Sequence, residues 1–329
     1  VLSITILIYT PKSYNRKRKY IQSRYKYLMN KYRDSLKQEF IGYATVAEIP
    51  LIVIDVQRSG PSTGMPTKTE QSDFLAVLYG SHGDNTKVVI GVSDLMDCLY
   101  APQLARYITE KLRVPVFIMS DFQTANSYKV LEKPQLTEMD DSNDIQDFIL
   151  ERFGMERLSD DIEMVRSVQA DPGTPGKMRR VTGLNTDEEG KVNYFARTNQ
   201  RSHAVRNEKI HHVRRAMKKP ELFGDVTEGD LLVLGWGSTY GAIQEAVESC
   251  QKQGMAVGGF CFKVVYPLPL MLKEVISKFK KVVTVELAYG DHYKRTPLAM
   301  FLRSKTLVDV EPIISKATGR PISPLMIET

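Results

Sequence analysis

Cysteine, tryptophan and long apolar runs are all scarce in this 329-residue chain. The three cysteines, Cys98, Cys250 and Cys261, stand far apart with no C-x-x-C pair. That spacing argues against an iron–sulfur or zinc site in this chain. An odd number without a disulfide framework fits a reducing cytoplasm, with each thiol read as a buried structural residue. No apolar run approaches the roughly 20 residues needed to cross a bilayer. The apolar stretch Val1 to Tyr9 is followed, not preceded, by basic residues, the reverse of an export signal. Also missing are G-x-G-x-x-G and H-E-x-x-H, so a nicotinamide fingerprint and a zinc-protease helix are unsupported. His203, His211 and His212 fall in a charged segment without ligand spacing.

Acidic charge is scarce only at one end. Of 45 basic and 39 acidic residues, ten and two lie in residues 1–40, leaving 35 and 37 for the rest. The pI of about 9.0 therefore belongs to the N-terminal segment, and no nucleic-acid binding by the body of the protein is expected. Residues 1–34 interleave basic and aromatic residues without a helical period. They read as a solvated basic helix or as sequence foreign to the domain that begins at Ser35; the alternative is an RNA- or surface-binding arm.

From Ser35 the texture is that of an α/β protein. A helix is expected over residues 35–48, then a buried β-branched strand from Leu51 to Val56. The strand opens into Gln57, Arg58 and a loop rich in Gly, Pro, Ser and Thr, followed by a helix over 67–79 capped by Thr67 or Thr69. Further strands are expected at Lys87–Val92 and Val114–Asp121, with an amphipathic helix from Leu99 to Leu112 between them. A charged helix is expected from Ala204 to Lys219. A second unit then alternates strands at Leu231–Trp236, Ala256–Val265 and Lys281–Glu286 with helices at Ala242–Gln253 and Met271–Phe279. Such alternation implies mostly parallel sheets, whose ligands bind at the carboxyl edge.

Arg58 stands at that edge, with a guanidinium suited to a two-pronged grip on a carboxylate. Ser62, Thr63, Thr67 and Thr69 either bond an anion or cap the next helix, and Glu70 and Asp73 suit the start of that helix. Gly237-Ser-Thr at a strand-to-helix junction is either an anion cradle or a plain turn. His82-Gly-Asp84 reads as a turn, and Glu286, ending an apolar strand, as an interface residue.

The run Gln57-Arg-Ser-Gly-Pro-Ser-Thr-Gly-Met-Pro-Thr-Lys-Thr-Glu-Gln-Ser-Asp73 resembles the α subunit of 2-oxoacid:ferredoxin (acceptor) oxidoreductases, the 2-oxoglutarate type most of all. The resemblance takes in Ser35 to Ala44, Tyr79 to Asp84, Val114 to Asp121, Thr182-Gly-Leu, Gly235 to Thr239 and Gly319-Arg-Pro. It implies a partial thiamine-enzyme pyrimidine-binding domain over 35–140, a connecting region over 141–224 and a transketolase C-terminal-like α/β domain over 225–329. Residues 1–34 stand outside it.

The resemblance further implies oxidative decarboxylation of a 2-oxoacid such as 2-oxoglutarate, with coenzyme A taking the acyl group and electrons leaving to ferredoxin. Thiamine diphosphate and Mg²⁺ would be held mainly by a β subunit, which accounts for the missing Gly-Asp-Gly…Asn pattern here. The iron–sulfur cluster would sit on a partner chain. Arg58, Gly60, Ser62, Thr63 and Gly64 would form the substrate-binding wall. The family's catalytic Glu and its Tyr-Pro-Ile-Thr-Pro-type loop belong before the Ser35 region and are not found in residues 1–34. Asn185 and Thr186 stand where the family often has Glu-His, and Ala288 where it has Asn. The expectation is an N-terminally truncated, cytoplasmic subunit with little or no turnover alone; the alternative is a non-catalytic assembly remnant.

Overall fold

The computed structural model describes residues 3–7, 35–62, 64–130, 143–165, 175–176, 181–224, 226–293 and 295–328. Two sheets carry the fold. In the first, β2 (Leu51–Gln57), β4 (Pro115–Asp121) and β3 (Val88–Gly91) run parallel in that spatial order. All of β3 and β4 is buried, as apolar runs in a parallel sheet covered on both faces must be. In the second, β6 (Val257–Phe262), β5 (Gly229–Trp236), β8 (Phe279–Glu286) and β9 (Val310–Ser315) are parallel throughout.

Three features depart from expectation. Ser3–Leu7 forms β1, an antiparallel strand covering the outer edge of β2 from Ser3 opposite Val56 to Leu7 opposite Ile52. The basic cluster after it lies outside the described residues. The single strand expected over Ala256–Val265 is instead two. β6 ends at Phe262, and β7 (Val264–Tyr266) crosses to the first sheet and pairs antiparallel with β3. Lys263 marks the crossing. Its carbonyl accepts from Gly91 N at 2.8 Å, and its ammonium lies 3.1 Å from the fully buried carboxylate of Asp97, which Arg152 also reaches at 2.8 Å. Finally, the helix expected over 67–79 spans only Phe74–Tyr79, and neither Thr67 nor Thr69 caps it. The backbone of 69–71 is committed elsewhere: Gln71 N donates to Leu287 O at 2.6 Å.

The other helices fall close to their expected places. Ser35–Val46 precedes β2, and Leu95–Leu112 connects β3 to β4, starting four residues early because the Asp94 carboxylate caps it through Asp97 N at 2.8 Å. The charged helix is displaced: it runs from Ala196 to Arg215, starting eight residues and ending four residues before the expected bounds, and is lashed to the first unit by Lys209 and Glu48, 2.7 Å apart and nearly buried. The helix Pro297–Thr306 and β9 occupy stretches where the sequence pattern predicts no element. Among the described residues no helix is long and apolar enough to cross a membrane.

The two sheets share one core. Leu51, Val53 and Phe117 of the first meet Leu232, Leu234 and Trp236 of the second. Phe74 packs on Trp236 with ring centroids 5.6 Å apart and edge-on to Phe301 at 5.3 Å. Gly91 makes room for the indole: a Cβ there would lie 2.9 Å from Trp236 Cε3 and 3.0 Å from Val265 Cγ2. Nearby, Lys87 is 1% exposed and donates from Nζ to the carbonyls of Val77 and Leu78 at 2.8 and 3.2 Å, closing the end of the Phe74–Tyr79 helix. Burial pushes its amine down to about 8.

Gly91→Ala is expected to destabilise the fold by about 1–3 kcal/mol through overpacking, read from the urea midpoint. Lys87 binds a proton less readily folded than unfolded, so its charging penalty is complete below about pH 8 and fades towards the unfolded value of 10.5. The stability of the natural chain relative to Lys87→Met is therefore expected to rise between those two pH values and stay level from pH 6 to 7, as measured by paired melting curves.

Candidate functional site

The carboxyl ends of β2, β4 and β5 meet at one edge, where Gln57 lies opposite Asp121 in register and Trp236 leads into Gly237. The segment between β2 and Phe74 fills that edge as a closed loop. Gln57 is buried at its base; its amide donates to Ser120 O at 3.2 Å and accepts from Asp73 N at 3.1 Å. Inside the loop Ser59 N donates to Lys68 O at 2.9 Å, Met65 N to Ser59 O at 3.2 Å and Lys68 N to Met65 O at 3.1 Å. These bonds pinch the 60–64 turn outwards.

Arg58 leans along the turn, its Nη2 donating to Ser62 O at 3.3 Å. Ser62 enters this arrangement through its carbonyl and sits in the left-handed region at φ 52°. Gly64, at φ 44°, has no alternative. A Cβ there would lie 2.4 Å from Ser59 O and 2.8 Å from Gly60 O. At Gly60 no described residue lies within 4 Å of such a Cβ. Arg58, Gly60, Ser62 and Gly64 thus share one turn, and Thr63 lies outside the described residues. The other wall of the loop is acidic. Glu70 is buried and accepts from Ser72 Oγ. Burial and the neighbouring Glu70 push the Asp73 carboxyl up, against the pull of Arg58. Thr69 is buried with its hydroxyl unpartnered among the described residues.

The remaining candidates resolve into structural work. At Gly237-Ser-Thr239 the cradle is occupied by a side chain of the chain itself. The buried Asp121 carboxylate accepts from Ser238 Oγ and from Thr124 N at 2.9 Å, while burial pushes its carboxyl up. Glu286 is fully buried and accepts from Leu298 N at 2.7 Å, Ala299 N at 3.1 Å, Thr284 Oγ1 at 2.8 Å and Thr296 Oγ1. It anchors the N-terminus of the Pro297–Thr306 helix. Asp84 of the His82 turn docks on the long charged helix through His203 Nδ1 at 3.1 Å and Arg206 Nε at 3.3 Å. Among the described residues no three His, Cys, Asp or Glu side chains form a group able to hold a metal.

Sequence reasoning missed two residues that shape the loop, Gln57 and Gln71. Gln57 carried a signal, a polar residue closing an apolar strand; Gln71 carried none, because its partners are 165 and 216 residues away.

Comparison with known proteins gives the chain its relatives. Residues 35–204 match the family model for pyruvate flavodoxin/ferredoxin oxidoreductase, thiamine diphosphate-binding, and residues 229–327 match pyruvate:ferredoxin oxidoreductase core domain II. The 2-oxoglutarate oxidoreductase subunit KorA of Mycobacterium tuberculosis is 35% identical over 282 residues, covering 85% of this chain and 41% of that protein. The 2-oxoglutarate synthase subunit KorA of Methanocaldococcus jannaschii is 28% identical over 260 residues, covering 79% of this chain and 68% of its own length. Among solved structures, the 2-oxoglutarate:ferredoxin oxidoreductase of Magnetococcus marinus, with 2-oxoglutarate, coenzyme A and succinyl-CoA bound, aligns with a TM-score of 0.72 and 29% identity. That alignment covers 89% of this chain and 50% of the solved one. With over half its length under the first family model and most of the remainder under the second, the chain belongs to the thiamine diphosphate-binding pyruvate flavodoxin/ferredoxin oxidoreductase family.

Proposed function

We propose that this chain is the α subunit of a thiamine-dependent 2-oxoacid:ferredoxin oxidoreductase that converts a 2-oxoacid and coenzyme A to the acyl-CoA. 2-Oxoglutarate is the favoured substrate, in keeping with the names of the relatives. The observation that carries the reading is Arg58 at the carboxyl end of β2, presented by a turn braced by Gly64 and fixed at its base by Gln57. Its guanidinium grips the substrate carboxylate.

Thiamine diphosphate supplies the decarboxylation chemistry when bound. The described residues do not fit its diphosphate end, because the one backbone cradle identified, at 237–239, is taken by Asp121 and no metal cage is present among them. The diphosphate and its Mg²⁺ are assigned to a β subunit, the iron–sulfur cluster to a partner chain, and the electrons to ferredoxin. In this reading the assembly is cytoplasmic, and the role of this chain is to bind and orient the 2-oxoacid.

The test is Arg58→Ala and Arg58→Lys in the enzyme assembled with its partner subunits, followed by dye reduction. Arg58→Ala is expected to raise KM for the 2-oxoacid by about 10- to 100-fold while leaving KM for coenzyme A unchanged. Arg58→Lys keeps the charge, loses the fork and falls between. Unaltered KM for every 2-oxoacid tried would overturn the reading.

A further inference from the structure

The 58–73 loop is held at two levels by two buried glutamine amides. Gln57 ties its base to the first sheet. Gln71, 1% exposed, ties its return limb to the second. Its Nε2 donates to Trp236 O at 2.8 Å, its Oε1 accepts from Leu287 N at 3.2 Å, and its own N donates to Leu287 O at 2.6 Å. The side-chain amide thus bridges the ends of two neighbouring strands, β5 and β8, as an inserted peptide group would. Only an amide of this length offers a donor and an acceptor in the required order; a carboxylate would face Trp236 O with a second acceptor.

The second sheet is shaped to receive it. A Cβ on Gly237 would lie 2.6 Å from Gln71 Nε2, so the amide enters through a gap that a larger residue would fill. Gly319 also rests on the loop, where a Cβ would meet Lys68 Cβ at 2.5 Å and Met65 Cε at 3.1 Å. The loop is therefore wedged between the two sheets.

We propose that Gln71 is a positioning residue for substrate recognition: by clamping the return limb of the loop to the ends of β5 and β8, it sets where the Arg58 guanidinium stands relative to the rest of the site. This rests on the reading of Arg58 as the carboxylate grip. It adds that the grip is aimed by the second sheet, thirteen residues along the chain from the arginine. Loss of the clamp leaves Arg58 charged and present but misplaced, so the penalty falls on the 2-oxoacid and spares coenzyme A.

The experiment compares Gln71→Met, which keeps the volume and removes the hydrogen bonds, with Gln71→Asn, which keeps the amide one methylene short, in the assembled enzyme. Each is combined with Arg58→Lys in a double-mutant cycle. Gln71→Met is expected to raise KM for the 2-oxoacid about tenfold, with kcat and KM for coenzyme A within twofold, and Gln71→Asn to move KM in the same direction by less. In the double variant the two effects should fall short of multiplying, because each acts through the same guanidinium. The emission of Trp236, the chain's single tryptophan, read on the isolated chain, shows that the core around the clamp is intact. Should Gln71→Met fail to fold, Gln71→Asn carries the same cycle. An unchanged 2-oxoacid KM in both Gln71 variants, beside a raised KM in Arg58→Lys, overturns the clamp alone. Fully multiplying effects, or equal losses for 2-oxoacid and coenzyme A, overturn it as well. An unchanged KM in Arg58→Lys overturns the carboxylate reading first, and the purpose of the clamp with it.

Discussion

Burial of Trp236 is the interaction on which the rest of this molecule depends. The indole ends a strand of the second sheet, yet it packs on Phe74 just after the Arg58 loop and into the gap left by Gly91 of the first sheet. Removing so large a core side chain typically costs about 3–5 kcal/mol. Its main chain is equally engaged, since the carbonyl takes the Gln71 amide and the Thr239 hydroxyl at 2.9 Å. One residue therefore joins the shared core, the turn after β5 and the return limb of the Arg58 loop.

Around that joint the polar groups divide their labour by depth. The fully buried carboxylates, Asp97, Asp121 and Glu286, are each saturated by partners from other elements and hold strand ends and helix starts in place. Their burial is tolerable only because the donors converge on them. Arg58, Glu70 and Asp73 belong instead to the loop after β2, where Glu70 accepts from Ser72 Oγ and Arg58 donates to Ser62 O. Both groups of polar side chains gather at the carboxyl edges of the parallel strands, the edge where such sheets place their ligands.

The parallel strands were legible because burial on both faces leaves a nearly continuous apolar run, as in Leu51–Ile54 and Val116–Met119. Arg58 was legible because a polar residue closing such a run stands at the sheet edge. The helix start is misread from sequence because Thr67, Thr69 and Glu70 imitate a capping pattern; the backbone there bonds across to Leu287 instead. β9 is hidden in the sequence because Pro312 and Glu311 interrupt it, a licence that only an edge strand has. Sequence alone does not decide between anion cradle and plain turn at Gly237, because Asp121 lies 117 residues away from its Ser238 partner. No local pattern announces such a partner.

The crossing at Lys263 bears on how the molecule comes apart. The two segments matched by separate family models, 35–204 and 229–327, do not correspond to separable bodies, because β7 from the second completes the sheet of the first. A fragment ending between them would leave β3 with an unpaired edge, an invitation to pair with another chain. The two sheets are accordingly tied by strand pairing as well as by their shared core.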